Sequence, residues 1–275
     1  MTMLPGSRVT LAAAAAVLGL AQLATAQSSP YYITNGDGSA MYIVQNGTLQ
    51  ATVTTYSLAY PLAVGSTVIL GQRDDAGGRE YTLAGVPTGN TWTGNGTYSQ
   101  ILDGTTDGTQ YNYGVLCCTT PNAVIRTNLH WQNSSVLFNL PGNQSGWGVA
   151  FDTTTRHLFV SLDDNSIREF DLTGAQLSSF TPAVEGPLVG LAYEQATDTL
   201  WGKLNGGGTL YQYSKTGTLL NTVVVPGLSP GNDYGGEMAI TGTALESVPA
   251  LSWAGVAMFG LLVALLGGAL LRLRT

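Results

Sequence analysis

Residues 147–180 (WGVAFDTTTRHLFVSLDDNSIREFDLTGAQLSSF) and residues 189–223 (VGLAYEQATDTLWGKLNGGGTLYQYSKTGTLLNTV) are two copies of one pattern. Residues 147–151 align with 189–193, and 158–159 with 200–201, at an offset of 42. After one inserted residue, 167–170 align with 210–213 and Thr173-Gly174 with Thr216-Gly217, at an offset of 43. Each copy predicts four short strands. The first (GVAF, GLAY) is apolar on both faces, and a polar turn follows. The second (HLFVSL, TLWGKL) ends in an Asp/Asn/Gly turn. The third (SIREFDL, TLYQYSK) alternates apolar with polar, so one face is buried. A Gly turn leads to the fourth (QLSSF, LLNTV).

A four-stranded meander of this length is the unit of a β-propeller, and one such unit cannot bury both of its faces alone. Weaker copies lie upstream. TVILGQRDDAGGREYTLAG (67–85) resembles the second and third strands. DGTTDGTQYNYGV (103–115), followed by VIRTNLHWQ and SVLFNL, makes another unit. AMYIVQNGTLQATV (40–53) is a hairpin about Asn46-Gly47, a type I′ turn signal. GGEMAI (235–240) resembles a first strand with no blade after it. It is expected to pair with the strands near 31–55 and close the ring. The expected class is therefore all-β, a small propeller of about five four-stranded blades closed by a C-terminal strand; the irregular upstream spacing leaves four or six open. A β-sandwich would not explain a match across four consecutive strands. The middle of the chain resembles β-propeller proteins in general, of the NHL or YncE type.

Composition agrees with strands and turns, because Gly is abundant and charged residues make up only 10% of the chain. Region 27–247 carries all 17 acidic side chains and seven of the ten basic ones, a net charge of −10 with neutral histidines. That disfavours nucleic acid and anionic lipid heads as partners, since both need Lys and Arg. An acidic surface mainly keeps a protein soluble.

Chemistry is sparse in this region. DGTTDGT (103–109) and DDNS (163–166) lack the D-x-D-x-D-G order of a calcium loop and read as turns. His130, in NLHWQN, and His157, at the start of a strand, are the only histidines. No G-x-S-x-G elbow or phosphate loop is present. Trp131, Trp147 and Trp201, with Tyr111, Tyr113, Tyr193, Tyr211 and Tyr213, occupy positions expected to pack between blades. Trp92, in the loop-like GNTWTGNGT (89–97), is a candidate surface contact. Cys117 and Cys118 are adjacent; two small residues, one facing in and one out, is the favoured reading, and a vicinal disulfide is the alternative in an oxidising compartment. No catalytic, cofactor-binding or metal-binding set is assigned. A propeller's function must then come from its channel or top loops. A non-catalytic surface or matrix module is favoured, binding a polysaccharide, a protein or a small ligand. The alternative is a propeller enzyme such as a lactonase, a cyclotransferase or a quinoprotein-like oxidoreductase, expected to cluster Asp152, Glu169, Asp171 or Glu237 with His157 at the channel mouth.

Both ends of the chain read as address segments. Arg8, the run VTLAAAAAVLGLAQL and Ala24-Thr25-Ala26 before Gln27 have the pattern of a secretory signal peptide cut after Ala26. Residues 249–271 carry no charge and are long enough to cross a bilayer as one C-terminal transmembrane helix. Arg272 and Arg274 follow and stay cytoplasmic by the positive-inside rule. Val248-Pro249-Ala250-Leu251-Ser252, then Trp253 and Gly255, the apolar span and the basic end resemble the bacterial IPTLxxWG-type C-terminal sorting signal, a relative of the PEP-CTERM signal. Val stands where that pattern has Ile, Ala where it has Thr, and Trp253 comes one position early. The resemblance implies that a membrane transpeptidase of the exosortase type recognises and cuts the tail; a plain permanent anchor is the alternative. The expected organisation is a signal peptide over 1–26, a propeller ectodomain over 27–246 and a sorting tail with its membrane helix over 247–275. The protein is expected to be exported, held in the inner membrane by the bilayer with its ectodomain outside, and then sorted to the surface or released.

Overall fold

The computed structural model describes residues 27–37, 39–228 and 231–240. Within them lie five four-stranded antiparallel sheets arranged as blades. Blade 1 runs Tyr31–Asn35 (β1), Ala40–Gln45 (β2) and Thr48–Thr54 (β3). Blade 2 holds Leu62–Val64 (β4), Val68–Gly71 (β5), Gly77–Tyr81 (β6) and Pro87–Thr93 (β7). Blade 3 holds Ile101–Thr106 (β8), Tyr111–Leu116 (β9), Ala123–Asn128 (β10) and Ser135–Asn139 (β11). The two repeats are blade 4, Gly146–Asp152 (β12), His157–Leu162 (β13), Ile167–Phe170 (β14) and Gln176–Phe180 (β15), and blade 5, Leu188–Glu194 (β16), Thr199–Leu204 (β17), Thr209–Ser214 (β18) and Leu219–Val224 (β19). Gly235–Met238 (β20) pairs antiparallel with β1 and becomes the innermost strand of blade 1, closing the ring as expected.

Ser161 pairs with Ile167 in blade 4 and Lys203 with Leu210 in blade 5, so the shift from 42 to 43 is one extra residue in the second-to-third strand turn. Asn46 and Gly47 both have positive φ, as the type I′ turn requires. Three local readings change. Trp92 lies in strand β7 rather than a loop. Residues 103–106 belong to the wholly buried β8, so only Asp107 of that motif begins a turn, where its carboxylate accepts the N–H groups of Thr109, Gln110 and Tyr111. Cys117 and Cys118 are joined, with sulfurs 2.12 Å apart, rather than packing as two thiols. The membrane helix, the sorting motif, Arg272, Arg274, Ala24 and Ala26 lie outside the described residues.

Each blade buries a face against its neighbour. Val115, Val124 and Phe138 meet Val149, Phe151 and Phe170 between blades 3 and 4. Ala150, Phe159 and Ile167 meet Leu188, Leu191 and Tyr193 between blades 4 and 5. Trp201 and Leu210 meet Tyr31, Ile33 and Met238 across the closure. Full burial of such side chains contributes roughly 2 kcal/mol each. Five blades leave little room at the axis, which explains the glycines of the inner strands. A Cβ on Gly235 would lie 1.7 Å from the Tyr60 carbonyl oxygen, and one on Gly236 would lie 2.5 Å from that of Gly190. No helix among the described residues is long and apolar enough to cross a membrane.

Candidate functional site

The inner strands β4, β8, β12, β16 and β20 all run from one face of the ring to the other, so residues at matching depths meet on the axis. Asp103 on β8 is fully buried there. Its Oδ1 accepts the N–H groups of Gly104 and Gly236, both at 2.8 Å. Its Oδ2 accepts those of Val149 at 2.8 Å and Leu191 at 2.9 Å. One carboxylate therefore ties blades 1, 3, 4 and 5 together and plugs the channel. Burial raises the Asp103 carboxyl well above its usual range, against the opposing pull of the four N–H donors. Glu237, the next step along β20, is also buried and raised by burial, with Thr105 opposing.

Above this plug, where the inner strands begin, the turns form a bowl of about 190 Å³. Its aromatic wall comes from three inner-strand approaches: Tyr60 before β4, Trp147 in β12 and Tyr234 before β20. Tyr60 and Tyr234 meet edge to face with ring centres 5.2 Å apart, and Trp147 and Tyr234 tilt together at 5.8 Å. The polar wall comes from second-to-third strand turns. Asp37 leaves the β1–β2 turn and Arg73 the β5–β6 turn. The Tyr60 hydroxyl donates to Asp37 Oδ1 at 2.5 Å, and the Asn232 amide donates to Oδ2. These bonds, with Arg73 nearby, hold the Asp37 carboxyl below its usual value. Arg73 gives Nε and one Nη to Asp74 at 3.1 and 3.2 Å. The joined Cys117 and Cys118, on the β9–β10 turn, complete the rim.

The residues named for an enzyme do not meet there. His157 Nδ1 lies 2.7 Å from Glu169 Oε1, but on the second and third strands of blade 4, away from the axis. Ser178 donates to the other Glu169 oxygen at 2.7 Å, so that hydroxyl is turned to the carboxylate rather than to the imidazole, the wrong geometry for an activated nucleophile. Asp152, at the far end of β12, binds Lys215 at 3.0 Å on the opposite face of the ring. Asp171 stays in an outer turn, bonded to Thr173 and Ala175. Glu237 is below the plug. Among the described residues no group of three or more His, Cys, Asp or Glu is placed to hold a metal ion.

Sequence reasoning placed Trp147 between blades; its ring instead lines the bowl. Trp201 and Trp131 do pack inside, their Nε1 groups donating to Glu194 Oε2 at 2.8 Å and the Ile69 carbonyl at 3.0 Å. Trp92 stacks on His130 with ring centres 4.0 Å apart and planes within 8°. Asp37, Tyr60, Arg73, Asn232 and Tyr234 were not singled out. Their only sequence signal is position, each standing at a turn or just before an inner strand.

No family model matches the chain, and no curated protein matches it. Solved structures do. A chain of a nidogen/laminin complex aligns with TM-score 0.51 and 8% identity, covering 77% of this chain and 98% of its own. The chain has the β-propeller fold. A Bacteroides caccae protein of unknown function (TM-score 0.44, 13% identity, 71% and 73% covered) and a Staphylococcus aureus virginiamycin B lyase (0.44, 15%, 76% and 73%) also align. The nidogen/laminin likeness carries the fold and not an activity.

Proposed function

We propose that the protein is an exported bacterial binding module, non-catalytic, whose ligand sits in the bowl on the top face. The carrying observation is the convergence of Tyr60, Trp147, Tyr234, Asp37 and Arg73 from separate turns and inner-strand starts over a channel sealed by Asp103. Aromatic faces beside fixed polar groups are a recognition surface. The carboxylates and imidazole that an acid–base mechanism needs are dispersed instead over the blades and the opposite face. In this reading residues 1–26 direct export. The 247–275 tail holds the propeller at the membrane until an exosortase-type transpeptidase sorts it.

The test is retention of the full-length protein, in a polyoxyethylene detergent, on envelope and extracellular-matrix fractions of the producing cells. Trp147→Ala and Arg73→Ala are expected to lower retention about tenfold. Lys215→Ala, on the opposite face, is expected to leave it unchanged, and bound material should keep its mass. Equal retention of all three variants, or cleavage of the bound material, would overturn the reading.

A further inference from the structure

We propose that the bowl takes one neutral pyranose unit of an extracellular glycan; this rests on, and sharpens, the binding reading above. Four independent features of the site select that chemistry. Size is the first: about 190 Å³ is close to the volume of a single sugar ring and is small for a peptide segment or a drug-sized cofactor. The second is the aromatic wall. Tyr60, Tyr234 and Trp147 present ring faces and edges at mutual angles of 73° and 46°, which suits the C–H faces of a puckered ring better than a flat nucleobase.

Charge is the third. Asp37 stays ionised, held low by Tyr60 and Asn232, and Asp74 neutralises Arg73, so an anionic ligand meets net negative charge. That leaves a neutral polyol or a cation, and hydrogen-bonding capacity decides between them in favour of the polyol.

Hydrogen-bonding capacity is the fourth. Among the described residues each Asp37 oxygen accepts one hydrogen bond and retains lone-pair capacity. The Asn232 amide oxygen is reached from Asn205 and from the Tyr234 hydroxyl only at 3.3 Å. The Asp37 carboxylate, the Asn232 amide and the Tyr234 hydroxyl thus lie around one rim, the arrangement that adjacent hydroxyls satisfy because each both donates and accepts. Cys117–Cys118 adds a soft wall that demands little hydrogen bonding.

Titration calorimetry and saturation-transfer NMR on the full-length protein, in a detergent without a sugar head group, would decide the matter. The probes are the methyl pyranosides of glucose, galactose, mannose, rhamnose and N-acetylglucosamine, with glucuronate and choline as charged comparators. At least one neutral glycoside is expected to bind with a millimolar Kd. Its affinity should fall about tenfold in Trp147→Ala and in Asp37→Asn. Asp37 is exposed, so the second variant keeps the test valid if the first unfolds. Absence of binding by every neutral glycoside, tighter binding of glucuronate or choline, or full affinity in Asp37→Asn would each overturn the proposal. If glycosides fail while Trp147-dependent retention on the envelope persists, only the ligand class is wrong. If retention is also indifferent to Trp147, the binding reading fails with it.

Discussion

Asp103 is where a single side chain controls the most structure. Replacing it with Ala strands four buried N–H groups on three different strands besides its own. Each orphaned donor costs about 1–3 kcal/mol, so a loss of at least about 4 kcal/mol is expected in urea denaturation. Asp103→Asn is a less gentle change than its shape implies. One of its two oxygens becomes an NH₂ facing two N–H donors, and a loss of about 2 kcal/mol is expected. The pH dependence has a definite sign. Burial raises the folded-state pKa of Asp103 above its unfolded value near 4, so the folded protein binds this proton more tightly. The contribution is fully present below about pH 4 and is lost as pH rises through the folded value. The gap in stability between wild type and Asp103→Asn should therefore narrow as pH rises from about 4 toward neutrality. A gap that widens over that window would show the carboxylate to be favoured by its four donors more than it is penalised by burial. Asp164 behaves oppositely: its hydrogen bonds with Ser166, Gln144 and Arg168 outweigh burial and lower its carboxyl to about 2, so its contribution is lost only as pH falls toward that value.

Closure of the ring rests on one short strand and the turn that leads to it. β20 has four residues, two of them glycine, and contributes little side-chain surface of its own. Its position is fixed by the ladder to β1, by Gly236 N–H to Asp103, and by a buried ion pair just upstream. Lys203 Nζ of β17 lies 2.9 Å from Asp233 Oδ2, and both side chains are completely inaccessible. Burial lowers the Lys203 pKa and raises that of Asp233, while each charge steadies the other. Removing one partner leaves an uncompensated buried charge, so Lys203→Met and Asp233→Leu should each cost about 3–5 kcal/mol. The double variant should cost much less than their sum, because well-packed apolar residues can replace a buried pair at little net loss. A denaturant double-mutant cycle measures this; additive losses would mean that the two charges do not act as a unit. The start of the described chain is tied down near the same seam. Ser28 and Ser29 give their N–H groups to Glu194 Oε1, and the Gln27 amide donates to the Ser29 and Val44 carbonyls, both at 2.8 Å.

For the molecule as a whole, the proposed export route fixes a mass. If the signal peptide is removed after Ala26, the N-terminal residue of the protein recovered from the envelope is Gln27, already buried against blade 1. If the tail is also cut at its motif, residues beyond about 252 are missing. Intact-mass spectrometry of the native protein reads both ends. A chain that keeps residues 1–26 would end the export reading, and one that keeps 253–275 would make the tail a plain anchor. The blades were legible because a blade is local. Its strands alternate over a few residues, and its turns declare themselves through Asn-Gly, Asp and Gly. Blades 4 and 5 repeat almost residue for residue. Ring closure was legible for the same reason, as β20 carries the pattern of a first strand without a blade to follow. The bowl was not. Asp37 and Asn232 stand 195 residues apart, and Asp103 reaches Gly236 across 133. Nothing in the neighbourhood of Trp147 distinguishes it from the tryptophans that pack inside. Strand and turn are set by interactions within a few residues, so the sequence alone determined them. Which side chains share the mouth of the ring is set by how five blades close on a narrow axis, and only the folded chain decides that.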